Sequence, residues 1–394
     1  MSKKRLTKRV VATRSDLAST IAAACLAVFG ITSGCCVGEC NPSPSAPTHT
    51  GSVNSATPAD LALADLPLIA VQREAHADER RFRNIEQLTF GGENAEAYFS
   101  PDGKQLIFQS KRPPYQCDQI FKMGIDGRGL TLVSTGKGRT TCAYFFYPDA
   151  RAILYSSTHA TDANCPPEPS RDQGYVWPLY ASYDIYTARP DGTELKALTS
   201  TPGYDAEATM RRDGSLIVFT SVRDGDLELY SMKADGSDVR RLTNKPGYDG
   251  GAFFSHDGKK LCYRAYHPEG AELEDYRALL ARGLVRPNRM EIWVMDADGS
   301  NARQLTSNGN ANFCPYFTPD DQAVVYSSNQ GGNPREFDLY LVRLDGTGQE
   351  RVTYTAEFDG FPMFSPDGKK IVWASNRHST ARGETNIFIA DWKN

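Results

Sequence analysis

The stretch FSPDGKQLIFQSKR at residues 99–112 has a close copy, FSPDGKKIVWASNR, at residues 364–377. Looser copies surround four further aspartates, at Asp149, Asp213, Asp257 and Asp320. Counted from Asp102 to Asp367, the intervals between successive aspartates are 47, 64, 44, 63 and 47 residues. Four units therefore share a length near 45 residues and two carry insertions. Six copies at this period predict a propeller or a solenoid.

Each copy predicts four antiparallel strands. Large apolar side chains lie three residues before and six residues after the repeated aspartate, in alternating sequence that is typical of a hairpin with an Asp-Gly turn. A third strand is centred on an aromatic residue in every unit: Phe121, Tyr186, Tyr230, Trp293, Tyr340 and Phe388. A fourth, short strand ends in a Leu-Thr or Val-Thr pair in four units. The sequence therefore predicts an all-β fold, a six-bladed β-propeller.

The two ends of the repeat region predict how the ring closes. The last unit stops at Asn394, after its third strand, and lacks a Leu-Thr strand. A spare pair, Leu88-Thr89, precedes the first hairpin and belongs to no earlier unit. We expect this N-terminal strand to pair with Asn386 to Trp392, which would remove an exposed sheet edge.

The first residues carry the features of an export signal. Six basic residues precede a nearly all-apolar stretch, Leu17 to Ile31, which ends in small residues before Cys35. Lipid attachment at Cys35, ordinary cleavage nearby and an uncleaved anchor all remain open. We therefore divide the chain into an export segment (1–35), a flexible tether (36–84) that is rich in Pro, Ser, Thr and Ala from Asn41 to about Pro58, and the propeller (85–394).

Composition excludes some classes of protein. The chain has 44 Lys and Arg against 48 Asp and Glu, so no basic field is available for nucleic acid. Beyond the N-terminal segment there is no long apolar stretch, so membrane contact is expected only through the N-terminal anchor. We expect a monomeric propeller in the periplasm or at the cell surface, where disulfides persist.

The repeat resembles a known family. A Leu-Thr strand, then SPDGK, an apolar strand ending in S-x-R, an aromatic third strand and an Asp-Gly turn are similar to the TolB-type propeller repeat, over residues 85–394. The resemblance implies an envelope protein whose propeller binds other proteins. The sequence departs from the family pattern where a short tether takes the place of the α/β domain that precedes the TolB propeller.

The two insertions predict which face of the disc is functional. His159 to about Ser182, and Tyr266 to about Arg289, both fall between second and third strands, so they rise from the same face as the links between blades. We call this the insertion face, and the opposite one, which carries the Asp-Gly turns, the turn face. The first insertion offers Trp177, Tyr175 and Tyr180 as candidate exposed anchors. The second predicts a short amphipathic helix.

A polar ring is predicted at the channel mouth of the insertion face. Eight residues before each repeated aspartate lie Asn94, Thr141, Asp205, Asp249, Asn312 and Asp359, and Glu96 and Glu207 follow two residues later. An outer circle contains Arg112, His159, Arg223, His267, Gln330 and Arg377. These residues could form a funnel that captures a ligand, a peptide or Ca²⁺. Alternatively, Asp205, Asp249 and Asp359 cap turns or pair with Arg223 and Arg377 between blades.

Two functions remain open. The first is a non-catalytic binding propeller that engages an envelope protein, peptide or glycan through the insertion face. The alternative is a carbohydrate- or peptide-active enzyme with a metal-assisted site in the funnel, using residues such as His159, His267, Asp205 and Arg223. The chain contains no recognisable nucleophile elbow, zincin, Walker or dinucleotide motif. We expect no cofactor unless the funnel holds Ca²⁺, and one disulfide among Cys117, Cys142 and Cys165.

Overall fold

The computed structural model describes residues 70–170, 172, 174–356 and 358–393. The export segment, Cys35 and most of the predicted tether lie outside these residues. The described chain is a six-bladed β-propeller of antiparallel blades with one α-helix, which confirms the predicted fold class. None of the helices in this part of the chain is long and apolar enough to cross a membrane.

The strands follow the repeat. The chain begins with β1 (Val71–Arg73) and β2 (Phe82–Gln87), which join the last blade. Blade 1 contains β3 (Glu93–Phe99), β4 (Gln105–Lys111), β5 (Gln119–Gly124) and β6 (Thr131–Leu132). Blade 2 contains β7 (Thr140–Phe145), β8 (Ile153–Ser157) and, after an insertion that holds β9 (Trp177–Pro178), β10 (Asp184–Ala188) and β11 (Lys196–Ala197). Blade 3 contains β12 (Asp205–Met210), β13 (Leu216–Ser221), β14 (Glu228–Lys233) and β15 (Arg240–Arg241).

The remaining blades complete the ring. Blade 4 contains β16 (Tyr248–Phe254), β17 (Lys260–Tyr266) and, after an insertion that holds α1 (Ala271–Leu280) and β18 (Leu284–Val285), β19 (Glu291–Asp296) and β20 (Arg303–Gln304). Blade 5 contains β21 (Asn312–Phe317), β22 (Ala323–Ser328), β23 (Asp338–Arg343) and β24 (Glu350–Arg351). Blade 6 contains β25 (Asp359–Phe364), β26 (Lys370–Ser375) and β27 (Asn386–Trp392).

The repeated SPDG sequence forms the turn between the first two strands of a blade. In blade 1 the Ser100 hydroxyl donates to the Asp102 carboxylate (2.6 Å), which also accepts the backbone N–H of Lys104 (3.1 Å). Gly103 has a φ of 68°, a left-handed conformation that costs a glycine little. The motif is therefore a self-capped turn in which Ser100, Asp102 and Gly103 each have a structural role.

The Leu-Thr sequence has a structural role as well. In every blade a hydroxyl at this position accepts the N–H of the second residue of the third strand, at 2.8–3.0 Å; these hydroxyls belong to Thr89, Ser134, Thr199, Thr243, Thr306 and Thr353. The bond holds the short outer strand on the blade where the sheet ladder ends. This explains why the repeat keeps threonine after the apolar residue.

Aromatic side chains fill the space between blades. Phe108 lies opposite Phe121 on neighbouring strands, and Trp373 lies opposite Phe388; all four are fully buried. One hydrophobic cluster contains residues from all six blades. Each large side chain buried in this way contributes about 1.5–3 kcal/mol to folding. A single blade could not bury both of its faces, so stability depends on the whole ring.

Both ends of the described chain meet in blade 6. Strand β2 pairs antiparallel with β27, with Phe82 opposite Trp392, and the Leu88 N–H donates to the Ile387 carbonyl (2.8 Å). Strand β1 then pairs with β2, so the blade 6 sheet has five strands. The boundary placed between residues 84 and 85 is therefore too late, because β1 and the first residues of β2 already belong to the blade 6 sheet.

Candidate functional site

The aspartates of the predicted ring are buried against arginine or histidine side chains. Asp205 accepts hydrogen bonds from Arg223 (3.0 Å), and Asp249 lies 3.0 Å from the Nε2 atom of His267. Both carboxylates are 1% exposed. Each pair joins the first strand of a blade to the end of the second strand of the same blade. The expectation of pairing between blades is therefore corrected: the antiparallel register brings the two positions together within one blade.

Asp359 belongs to a larger buried network. The Arg377 guanidinium donates to Asp359 (3.0 Å) and also to Glu79 (3.0 Å), and the Trp373 indole N–H donates to Asp359 (3.1 Å). Glu79 precedes β2, so this network fastens the N-terminal segment to blade 6. Glu79 and Asp359 are almost entirely buried. One guanidinium bridges both carboxylates, which explains why this part of the predicted tether is held in the propeller.

The neutral ring residues are also engaged in local hydrogen bonds. The Asn94 side chain accepts from Arg112 (2.7 Å), and the Asn312 amide donates to the Met290 carbonyl (2.8 Å). In blade 2 the residue at this register is Thr140, which lies opposite Ser157, and not Thr141. The prediction was one residue off because the blade 2 turn contains an extra residue before Asp149, which moves the alignment of its first strand.

These contacts leave little scope for a metal in the ring. Ca²⁺ takes about six to eight oxygen ligands, whereas the ring carboxylates are already paired with arginine or histidine. Residues 70–393, as far as they are described, contain no group of three or more His, Cys, Asp or Glu side chains that could hold a metal ion. A ligand-binding role for the ring residues stays a prediction.

A second set of residues, two positions further along each first strand, lines the channel itself. Every first strand has a bulge here, and its residue takes a left-handed φ of 51–59°. The six residues are Glu96, Cys142, Glu207, Gly251, Cys314 and Phe361. All except Gly251 keep some accessible surface although they lie inside the disc. The channel is therefore hollow at this level, and we call this space the chamber.

An ion pair lies at the wall of the chamber. Arg264, on β17, contacts the Glu207 carboxylate and donates to the Tyr248 hydroxyl (2.7 Å). Glu207 also accepts from the Thr220 hydroxyl (2.7 Å) and from the Gly251 N–H (3.0 Å). A Cβ atom at Gly251 would collide with the Arg264 guanidinium. In blade 4, Arg264 on the second strand therefore occupies the space that a side chain at position 251 of the first strand would take.

Glu96 differs from Glu207 because it faces no cation at hydrogen-bonding distance among the described residues. One of its carboxylate oxygens is buried without a hydrogen-bond partner. Burial raises the pKa of Glu96 to about 7 and raises the pKa of the neighbouring Cys142 thiol well above its usual value. The chamber thus combines one compensated carboxylate with one that readily holds a proton near neutrality.

The two insertions close the chamber on the insertion face. Strand β9 of the first insertion pairs with β18 of the second, so that Trp177 lies opposite Val285. The Trp177 ring covers the Arg264 guanidinium at 5.3 Å and packs against Phe313 at 5.3 Å. Trp177 is therefore half-buried as a lid, and the prediction that it is an exposed anchor is corrected. Tyr180 is also half-buried, and its hydroxyl donates to the Pro167 carbonyl (2.9 Å).

The first insertion is also fastened to the rest of the disc. A disulfide joins Cys165 to Cys117 in blade 1, and Arg139 in blade 2 contacts Glu168. The structure thus selects one pair from the three cysteines considered above and leaves Cys142 free, facing the chamber. These contacts make the lid a fixed part of the insertion face.

The second insertion contains the expected helix. In α1, Tyr276 and Leu279 are buried, and the Tyr276 hydroxyl donates to Asp226 (2.6 Å). Beside the helix lies a cavity of about 260 Å³, lined by Tyr266, Ala271, Glu272, Asp275, Tyr276, Leu279, Arg286, Asn288 and Arg289. The cavity is lined by both acidic and basic side chains, and Glu272 contacts Arg289. The insertion face therefore offers a charged groove next to the lid.

Aromatic side chains close the channel on the turn face. Tyr98 packs against Tyr144 (5.6 Å) and Phe253 (5.4 Å), and Phe253 packs against Tyr316 (5.3 Å). These four residues come from blades 1, 2, 4 and 5, so the contacts cross the channel axis. We call them the aromatic plug. The channel thus has a polar chamber between a lid and a plug.

Sequence reasoning missed Arg264 and the channel positions of Cys142 and Cys314. Glu96 and Glu207 were identified because they lie two residues after the ring position, and the same count from the corrected Thr140 leads to Cys142. Arg264 lies on the second strand, and only the glycine at position 251 hints that another side chain fills its place.

Comparisons with known proteins agree with this architecture. The model of the TolB beta propeller domain family matches residues 179–276 and 265–392, which is more than half of the chain. The crystal structure of TolB from Acinetobacter baumannii aligns with 77% of this chain at 18% identity and a TM-score of 0.51, and the chain spans 65% of that protein's length. An oligogalacturonate lyase from Vibrio parahaemolyticus aligns with 82% of this chain and 97% of its own at 13% identity and a TM-score of 0.48. The chain therefore belongs to the TolB β-propeller family.

Proposed function

We propose that this protein is an exported, envelope-associated binding propeller that engages a protein, peptide or glycan partner through the insertion face. The observation that carries the proposal is the lid: two insertions from blades 2 and 4 pair with each other across the channel mouth. Loops held on a rigid scaffold are where binding surfaces usually lie. A closed, fastened lid presents a continuous surface to a partner.

The ring residues support binding over catalysis. Of the four residues considered for an enzyme, Asp205, Arg223 and His267 are engaged in buried pairs within their blades, whereas His159 is half-buried and hydrogen-bonds the Ser157 hydroxyl (2.8 Å). A general acid or base must reach its substrate, and these groups lie beneath the insertion face. The metal-assisted enzyme therefore gains no support from the described residues, although metal analysis of the purified protein would still test it directly.

An envelope location is supported by two independent features. The Cys117–Cys165 disulfide suits an oxidising compartment, and the N-terminal residues carry an export-type sequence. Similarity to TolB proteins adds to this. Lipid attachment at Cys35 is tested by metabolic labelling with an alkyne fatty acid, comparing wild type with Cys35→Ala. We expect the label to disappear in the variant; a label that persists would exclude Cys35 as the attachment site.

Site-specific photocrosslinking tests the binding face. A photoreactive residue is placed at Asn164 or Arg282, which are exposed in the two insertions, and at Lys104 or Lys259, which are exposed on the turn face. In intact cells we expect a discrete adduct from the insertion-face positions and none from the matched turn-face positions. Adducts confined to the turn face would refute the proposal, as would equal adducts from both faces.

A further inference from the structure

One position in the turns around the turn-face mouth of the channel departs from the repeat. The residue immediately before the repeated aspartate is proline in blades 1, 2, 5 and 6, at Pro101, Pro148, Pro319 and Pro366. In blades 3 and 4 it is Arg212 and His256. These blades are neighbours, so two cation-forming side chains are concentrated on one side of the mouth.

Arg212 reaches across the channel axis. Its Nη1 atom donates to the Pro366 carbonyl at 3.4 Å, and blade 6 lies opposite blade 3 in the ring. Its Nη2 atom is buried and has no hydrogen-bond partner. The bond to Pro366 is long, and the side chain as a whole is only half-buried. Arg212 therefore closes the mouth with a contact that a better acceptor would easily replace.

His256 is oriented by an aspartate of the next blade. Its Nδ1 atom lies 2.8 Å from Asp321, whose carboxylate also accepts the backbone N–H groups of His256 (2.8 Å) and Asp257 (2.9 Å). The ring stands perpendicular to Tyr316, with centroids 6.1 Å apart. Its Nε2 atom is buried without a partner. Asp321 thus fixes the ring so that the opposite nitrogen remains available.

Tyr147 supplies the third group. The extra residue of the blade 2 turn places it next to Pro148, where it stacks on Tyr144 of the aromatic plug (5.9 Å). It is 4% exposed, yet its hydroxyl has no hydrogen-bond partner. Burial raises the pKa of Tyr147 and of Tyr316, and the charge of Arg212 opposes both rises. Tyr144 packs on Phe253, Phe253 packs on Tyr316, and Tyr316 packs on His256, so Tyr147 and His256 adjoin one aromatic cluster at the mouth that Arg212 crosses.

We propose that this cluster is a binding site for a small oxyanion group, a carboxylate or a phosphate, held by Arg212, His256 and Tyr147. Arg212 and Tyr147 each have a hydrogen-bond donor, and the His256 Nε2 atom adds another when both ring nitrogens are protonated; leaving a buried donor unpaired is costly. An oxyanion provides acceptors for all three and balances the positive charge. The unpartnered atoms are sealed from water in this structure, so the ligand enters as Arg212 exchanges the Pro366 carbonyl for the anion.

Titration with simple anions tests the site. Purified protein at about pH 6 is titrated with inorganic phosphate, acetate or chloride at equal ionic strength. Binding is followed by calorimetry, by the shift in melting temperature and by the ¹⁵N signals of the His256 ring. We expect phosphate or acetate, but not chloride, to bind and to move the His256 signals. A phosphate preference would identify a phosphate ligand, and comparable acetate affinity would identify a carboxylate.

Variants decide whether the binding belongs to these residues. Arg212→Gln and His256→Gln should each weaken oxyanion binding about tenfold or more, and Tyr147→Phe should weaken it less. Arg240→Gln, which changes an exposed arginine on the outer edge of blade 3, should leave it unchanged. If Arg212→Gln does not fold, His256→Gln and Tyr147→Phe decide. Absence of binding in wild type, equal effects of chloride, or full affinity in the foldable variants would overturn the proposal.

Discussion

The chamber and the aromatic plug are neighbouring levels of one channel, built by the same six strands, but they are held together by opposite means. The chamber residues lie at bulges with left-handed backbone, are polar in several blades and include Glu96, which has an unpaired carboxylate oxygen. The plug residues lie two positions further along and are aromatic in four blades. The plug therefore stabilises the ring by packing, whereas the chamber depends on the pairing of Glu207 with Arg264.

The largest effect should come from breaking the charge compensation of the chamber. Arg264→Met keeps much of the side-chain volume but leaves Glu207 buried without a cation, so the free energy of unfolding should fall by about 3–5 kcal/mol. Urea denaturation measures the change. The double variant Glu207→Gln/Arg264→Met should recover part of the loss because it removes the uncompensated charge. A double variant as unstable as the single one would show that Arg264 acts by packing and that the chamber resembles the plug.

A cavity in the plug should cost somewhat less. Phe253 contacts Tyr98, Tyr144 and Tyr316, and Phe253→Ala removes the common member of these contacts. We expect a loss of about 3 kcal/mol in the free energy of unfolding, because the flexible neighbouring rings can partly refill the space. Phe253→Leu is the matched control and should lose about half as much. A loss below about 1 kcal/mol for Phe253→Ala would mean that the plug does not brace the ring.

The two levels also differ in how far the sequence predicts them. The hairpins and the Leu-Thr strands were predictable because each follows from a local pattern repeated six times, such as the Ser100-Asp102 turn. The pairing of Asp205 with Arg223 was within reach too, because both positions lie at the same end of two adjacent antiparallel strands. The error at Thr141 arose from one additional turn residue.

The rest could not be read from the sequence for physical reasons. A bulge with a left-handed Glu96 or Cys142 leaves no trace in the alternation of polar and apolar residues, yet it decides which side chain faces the channel. Strands β9 and β18 have two residues each and come from separate insertions, so no local signal predicts that they pair. Trp177 therefore looked like an exposed anchor although it is the lid.

The protonation of the chamber offers a smaller effect that depends on pH. Burial raises the pKa of Glu96, Glu93, Glu228 and Asp338 to about 7, well above their values in an unfolded chain. The folded state therefore holds these four protons more tightly, so the contribution of these groups to stability is greatest at low pH and is lost as the pH rises from about 4.5 to about 7. We expect Glu96→Gln to raise the free energy of unfolding at about pH 8 by about 1–2 kcal/mol relative to wild type, with little difference at about pH 5.

Chemical denaturation at the two pH values measures this effect. Glu86→Gln is the matched control because Glu86 lies on β2, away from the channel. If Glu96→Gln instead shifts stability by the same amount at acidic and alkaline pH, Glu96 is ionised throughout and the chamber holds a fully charged carboxylate.

The smallest change in stability, but a distinct chemical one, is expected when the lid is removed. Trp177→Ala takes away the ring that covers Arg264, and because Trp177 is only half-buried the cost should be about 1 kcal/mol. The chamber would then be open to the insertion face, so Cys142 and Cys314 should react faster with a small thiol reagent than in wild type.

Peptide mass spectrometry resolves the individual cysteines. Cys262, which is fully buried within blade 4, is the internal control and should stay unreactive. Unchanged rates at Cys142 and Cys314 would mean that the chamber remains closed without Trp177, and that β18 and α1, rather than the indole ring, separate it from solvent.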